Sequence, residues 1–374
     1  MTSPSSLRDV LVARCKVEGS LGVDDFHNTC LYHPRWGYYK TQPVLVRTEE
    51  TGEGQGDFCT APQLTSLFGE VWGAFCLAQW ERWGQPSGLT LVELGPGLGT
   101  LMADLLRVGR LRPAFLKAVH VCLVDVHPGL RQAQQKALET FADQVASLTW
   151  HETLEEVALA SGPLIVVANE FFDALACAQF QRTTSGWCER CIGVDAAGDF
   201  VWTLSEPLED DVVKQCGLPN LYPLRAIAER SQAVKDHFLH VLRLLRQAGG
   251  AALVCDYGYT QPTVRHPSFA GDSWQALYRG KPVSPLAYPG LSDLSFHVDF
   301  GCLKQLSEAA GMQAHVTTQA AFLSDMGLLQ RADQVQRHMD QAEQAALKAS
   351  VNRLMDPQQM GTLFKVLTLE KAVA

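Results

Sequence analysis

The stretch Leu89-Thr90-Leu91-Val92-Glu93-Leu94-Gly95-Pro96-Gly97-Leu98-Gly99-Thr100 constrains this chain more than any other. An apolar run ends in a carboxylate, and three glycines follow at alternate positions. Leu101, Met102, Leu105, Leu106 and Val108 then recur on one face of a 3.6-residue period. The pattern predicts a strand, a tight loop and a helix, the opening unit of a doubly wound sheet. Glycines there let the backbone turn sharply and approach a ligand closely, since no Cβ intrudes. Glu93 is expected at the strand's carboxyl end, where such sheets bind ligands.

The spacing separates two cofactor classes. A dinucleotide site wants G-x-G-x-x-G, with pyrophosphate on the helix N-terminus. Thr100 stands where its third glycine belongs, and Gly99 comes one residue early. The E-x-G-x-G-x-G order instead resembles motif I of class I S-adenosylmethionine (AdoMet) methyltransferases. AdoMet carries an ammonium and a sulfonium rather than phosphate, and a carboxylate at position 93 suits a cation better.

Composition narrows the setting. With 374 residues, 47% of them hydrophobic, the chain can build one large domain with insertions or two smaller ones. A formal net charge of -9 argues against a broad nucleic-acid surface, so no nucleic-acid partner is expected. No apolar run is long enough to span a membrane. The N-terminal residues have neither a secretory core nor an Arg-rich transit stretch, and a bacterial cytoplasmic setting is expected. The 11 cysteines are odd in number and scattered, which reads as reduced thiols used as small hydrophobes. Cys188-Glu189-Arg190-Cys191 is a lone C-x-x-C without a second ligand pair. It reads as a hairpin edge, and no metal site is expected.

Along the chain, residues 1–70 form an N-terminal helical and aromatic extension expected to cover the active site. A short amphipathic helix opens it, and Thr60 or Thr65 is positioned to cap a helix over 64–83. Residues 71–374 read as the main α/β domain, a Rossmann-like seven-stranded sheet with a closing antiparallel strand near 363–369. Strands are predicted at 89–94, 119–125, 145–150, 164–168, 251–256 and 313–317. Hairpins are predicted at 176–204 and a long helix over 223–247. Residues 260–296 show no clear periodicity and are read as a lid-like insertion.

The carboxyl ends of these strands carry the chemistry. Asp125 ends the second strand, where an acidic side chain accepts from ribose hydroxyls. Trp150 and His151 end the third, where an adenine ring or plain core packing would use the indole. Asn169-Glu170-Phe171-Phe172-Asp173 ends the fourth, at the switch point where substrate and cofactor meet. Glu170 and Asp173 are suited to grip a guanidinium, which has no free lone pair while protonated, and to take its proton. Asn169 is expected to hold the turn or contact the cofactor's methionine portion. Asp256-Tyr257-Gly258-Tyr259 ends the fifth strand on the same rim. His297 is a candidate base, while Asp299 is equally suited to cap the next helix.

Seven stretches resemble the MidA family in order: 32–39 (Tyr32-His33-Pro34-Arg35-Trp36-Gly37-Tyr38-Tyr39), 56–62 (Gly56-Asp57-Phe58-Cys59-Thr60-Ala61-Pro62), 68–70, 93–99, 169–175, 297–300 and 360–367. The resemblance implies a class I methyltransferase fold, AdoMet as cofactor and protein-arginine methylation, with a respiratory-complex subunit as one candidate protein partner. Cofactor contacts are expected from Asp57, Phe58, Thr60, Glu93, Gly95, Gly97, Gly99, Asp125, Trp150 and Asn169. Catalysis is expected from Glu170, Asp173 and His297. The chain departs from the family pattern at Gln63, where a glutamate is usual, at Asp125, where the longer Glu is usual, and at Ala176, where proline is usual. Two other readings remain at this stage: a small-molecule methyltransferase, and a non-catalytic assembly factor that keeps the fold. The intact glycines and paired carboxylates disfavour the second. Oligomeric state is not readable.

Overall fold

A computed structural model of the chain describes residues 4–41, 60–218, 223–261 and 272–371. It divides into two compact units. One comprises Met1–Phe58, Ala174–Asp236 and Pro267–His297; the other comprises Cys59–Asp173, His237–His266 and Val298–Ala374.

The second unit is built on the sheet that the sequence predicts. Its strands are β1 (Leu89–Leu94), β2 (Val119–Val124), β3 (Ser147–His151), β4 (Leu164–Asn169), β5 (Gly250–Tyr259), β6 (Gln313–Thr318) and β7 (Phe364–Lys371). Their spatial order is β6-β7-β5-β4-β1-β2-β3. The five strands from β5 to β3 run parallel, and β7 is antiparallel to both β5 and β6. An eighth, two-residue strand, Val298–Asp299, extends the end of β5. Every residue of β1 and β4 is buried, as expected for central strands of a parallel sheet with both faces covered. Leu91, Val92, Ile165, Val166 and Val167 supply branched side chains to this interior.

The first unit contains a five-stranded sheet, which includes Ala178–Arg182, Trp187–Val194, Phe200–Pro207 and Ile227–Arg230, and a separate three-stranded sheet. Its core gathers Leu7 and Leu11 of helix Leu7–Glu18, Phe26 of helix Val23–Tyr32, and Trp274 and Phe296. Trp274 and Phe296 stack with ring centroids 5.7 Å apart. Cys188 and Cys191 lie buried on the strand Trp187–Val194, as thiols packed within a hairpin.

Three sequence expectations need correction. The helix expected over 64–83 is two helices, Ala61–Leu64 and Ser66–Arg82, because Thr65 is extended and its side chain caps the second. The helix expected over 223–247 begins only at Gln232. The preceding Ile227–Arg230 is a strand, and the Ser231 hydroxyl accepts from the Val234 N–H at the junction. The segment read as irregular contains the strands Gln275–Tyr278, Lys281–Val283 and Asp293–Ser295. They are too short for a two-residue period to register.

Candidate functional site

The glycine loop joins β1 to the helix Thr100–Gly109. Gly95, Gly97 and Gly99 all take positive φ, at 65°, 52° and 78°, a region that β-branched residues strongly disfavour. A Cβ on Gly95 would come within 2.9 Å of Phe171 Cδ2, so the loop lies directly against the turn that follows β4. The Gly95 N–H donates to Val124 O of β2 at 3.0 Å, which ties the loop to the next strand end.

Glu93 is 2% exposed, and its Oε2 has no hydrogen-bond partner among the described residues. Burial, with the Asp125 charge adding to it, pushes its carboxyl up to about 8. A buried carboxylate with an orphan oxygen costs free energy unless a cation or donor arrives. Asp125 follows β2 and accepts from the His127 N–H at 2.8 Å and from Gln134 Nε2 at 2.9 Å. Burial raises its carboxyl as well. Gln134 Nε2 also donates to Gly97 O at 2.9 Å, so one buried amide fastens the glycine loop to Asp125. The sequence analysis missed Gln134. Its position on the apolar side of the helix Arg131–Leu138 was the available signal. Trp150 sits half-buried on edge strand β3, with its Nε1 lacking a partner among the described residues.

The turn after β4 carries the second group. Asn169 Nδ2 donates to Glu170 Oε1 at 3.1 Å, while Asn169 Oδ1 has no partner among the described residues. Glu170 adopts φ 51°, a left-handed conformation costing on the order of 1 kcal/mol for a residue with a Cβ. Its Oε1 also accepts the Ala61 N–H at 3.2 Å. Thr60 caps that same short helix in a reciprocal box with Gln63. Gln63 thus fills a position where Glu and Gln serve alike. Asp173 is 7% exposed. Asp256, at 0% exposure, lies close enough to Asp173 and Glu170 for their charges, together with burial, to raise its carboxyl well above the ordinary range.

Three further expected residues are Asp57, Phe58 and His297. Asp57 and Phe58 lie outside the described residues. His297 belongs to the first unit, 4% exposed, with its N–H donating to Ser273 Oγ at 2.9 Å and its Nε2 3.2 Å from Gln275 Nε2. Asp299, the alternative at that motif, caps the helix Phe300–Ala309 by accepting the Cys302 N–H at 2.9 Å.

The residues fit AdoMet. Left-handed glycines leave room for close approach, Glu93 offers an unused buried oxygen to a cation, and Asp125 offers a carboxylate at the strand end suited to ribose hydroxyls. This sheet order with this loop defines an AdoMet-dependent methyltransferase of class I. Residues 71–318 match the family described as "Putative S-adenosyl-L-methionine-dependent methyltransferase", and the chain belongs to that family. Among curated relatives, Protein arginine methyltransferase NDUFAF7, mitochondrial, of Xenopus tropicalis is 31% identical, covering 98% of this chain and 86% of its own length. Its Danio rerio counterpart is 30% identical, covering 96% and 85%. A Burkholderia thailandensis protein crystallised with S-adenosyl-homocysteine superposes with a TM-score of 0.81 at 25% identity, covering 100% of this chain and 95% of its own.

Proposed function

We propose that this methyltransferase modifies an arginine guanidinium of a protein, with Glu170 and Asp173 engaging the acceptor. One observation carries the reading: a carboxylate-bearing turn packs against the glycine loop, as the 2.9 Å approach of a Gly95 Cβ to Phe171 requires. A cationic acceptor suits that turn better than a neutral hydroxyl or a carboxylate does. The curated relatives named as protein arginine methyltransferases support the same substrate class.

AdoMet, when bound, supplies a methyl made electrophilic by the sulfonium. The chain's own groups do the rest. Glu93, Gly95, Gly97, Gly99 and Asp125 hold the cofactor. Trp150 and Thr60 are assigned to the same site. Asn169 fixes the Glu170 carboxylate through its amide. Glu170 and Asp173 localise the guanidinium charge on the nitrogens they face, which frees the attacking nitrogen's lone pair. They then accept the proton released as the C–N bond forms. Alignment of nucleophile and methyl contributes by lowering the entropic cost of the displacement. A base role for His297 stays part of the proposal.

The experiment is incubation with isotopically labelled AdoMet and a dialysed proteome, followed by mass spectrometry. Label on arginine side chains is expected, and it would identify the acceptor, a respiratory-complex subunit included. Label confined to other residue types, or no label on protein, would overturn the arginine reading. A reducing, cytoplasmic setting also belongs to the proposal, supported by free thiols on all ten described cysteines.

A further inference from the structure

The geometry points to Asp256 as the positioning residue that holds the acceptor turn in its working shape. Asp256 stands in β5, next to β4, and its two oxygens divide three backbone donors between them. Oδ2 accepts the Phe172 N–H at 3.0 Å and the Asp173 N–H at 3.2 Å. Oδ1 accepts the Tyr257 N–H at 3.0 Å. The residue before it, Cys255, accepts the Glu170 N–H at 2.9 Å through its carbonyl. Three of the turn's N–H groups are therefore bound to two consecutive residues of the neighbouring strand. Between those anchor points Glu170 is held at its positive φ, with its side chain returned to the Ala61 N–H.

Chemistry explains why the anchor is a carboxylate. An amide at position 256 has one acceptor oxygen. Either Tyr257 or the pair Phe172 and Asp173 would then face an NH2 group, donor against donor. Apolar replacement would leave all three buried N–H groups unsatisfied. Asp256 reaches the turn through backbone groups, so it positions Glu170 and Asp173 without needing to contact the acceptor.

This inference rests on the role proposed for Glu170, and a double-variant cycle separates the two. The readout is S-adenosylhomocysteine formation from AdoMet, with a dialysed cell extract as the acceptor pool, so the acceptor's chemistry need not be known. Asp256→Asn is expected to slow formation tenfold or more while changing S-adenosylhomocysteine affinity, by calorimetry, less than threefold. Adding Glu170→Gln to Asp256→Asn is then expected to cost less than a further threefold, because a misplaced Glu170 has little left to lose. Two losses that multiply, or an Asp256→Asn enzyme as fast as wild type, would overturn the inference. An inert Glu170→Gln in the wild-type background would instead sink the acceptor role of Glu170 and leave Asp256→Asn to be judged on its own rate. Should Asp256→Asn fail to fold, hydrogen exchange on the wild-type enzyme decides. The Phe172 and Asp173 amides are expected to exchange at least a hundredfold more slowly than free peptide, and near-free rates would overturn the inference.

Discussion

The two carboxylate groups at the carboxyl edge of this sheet are built by opposite means. The proposed cofactor side, around Glu93 and the glycine loop, owes its backbone path mainly to local sequence: three glycines take left-handed conformations, and Gln134 ties the loop to Asp125. The proposed acceptor side, from Asn169 to Asp173, has no glycine, yet Glu170 takes the same left-handed region. There the conformation is imposed from outside, by Asp256 and Cys255 on the adjacent strand. A loop shaped by its own residue types persists when neighbours change, whereas a turn shaped by a distant partner fails with that partner.

The comparison can be tested in order of expected effect. Glu170→Gln keeps the shape and removes the charge. It should lower methyl transfer about a hundredfold, roughly 2.7 kcal/mol, with AdoMet affinity nearly unchanged. A parallel loss of AdoMet affinity in calorimetry would move Glu170 to the cofactor side. Gly97→Val puts a branched residue at φ 52° and should weaken AdoMet binding more than tenfold, at least about 1.4 kcal/mol. Wild-type affinity in that variant would mean that the loop is not the cofactor's seat.

A third test uses pH. The Glu93 carboxyl lies at about 8 in the folded protein, against an ordinary 4.5. Between those values the folded chain keeps a proton that the unfolded chain has lost. Its contribution to the stability of the ligand-free protein therefore declines as pH rises through 4.5 to 8 and levels off above. A cationic ligand favours the ionised form, so AdoMet binding near neutral pH should drive a proton off Glu93. Titrations in buffers of differing ionisation enthalpy would register proton release, and a flat profile would separate Glu93 from the cation. The smallest effect belongs to Gln63→Glu. The reciprocal cap with Thr60 accepts either residue, so stability should move by no more than about 0.5 kcal/mol and the transfer rate by less than threefold. A tenfold change in rate would show that position 63 meets the acceptor.

The same contrast explains what the sequence reveals. The β1 strand and the glycine loop are legible because their signals are contiguous, and the alternation of strands and helices points to a seven-stranded, mostly parallel sheet, though not to the place of β7 inside it. Gln134 and Asp256 are not legible as site residues in that way. Gln134 acts across 37 residues on Gly97, and Asp256 across 84 on Phe172, partnerships that only the folded sheet creates. The strand Ile227–Arg230 escapes for a related reason. It is defined by pairing with Ala178–Arg182, while its own composition merges into the helix after it.

The last of the seven strands to leave the ribosome, β7, lies in the interior of the sheet, between β5 and β6. Until it emerges, β5 has one flank open along its length, from Gly250 to Tyr257. The strands β1 to β4, with the glycine loop, leave the ribosome well before that moment. The turn from Asn169 to Asp173 gains its anchor only when β5 follows. Synthesis order therefore delivers the glycine loop before the strand that anchors the turn packed against it.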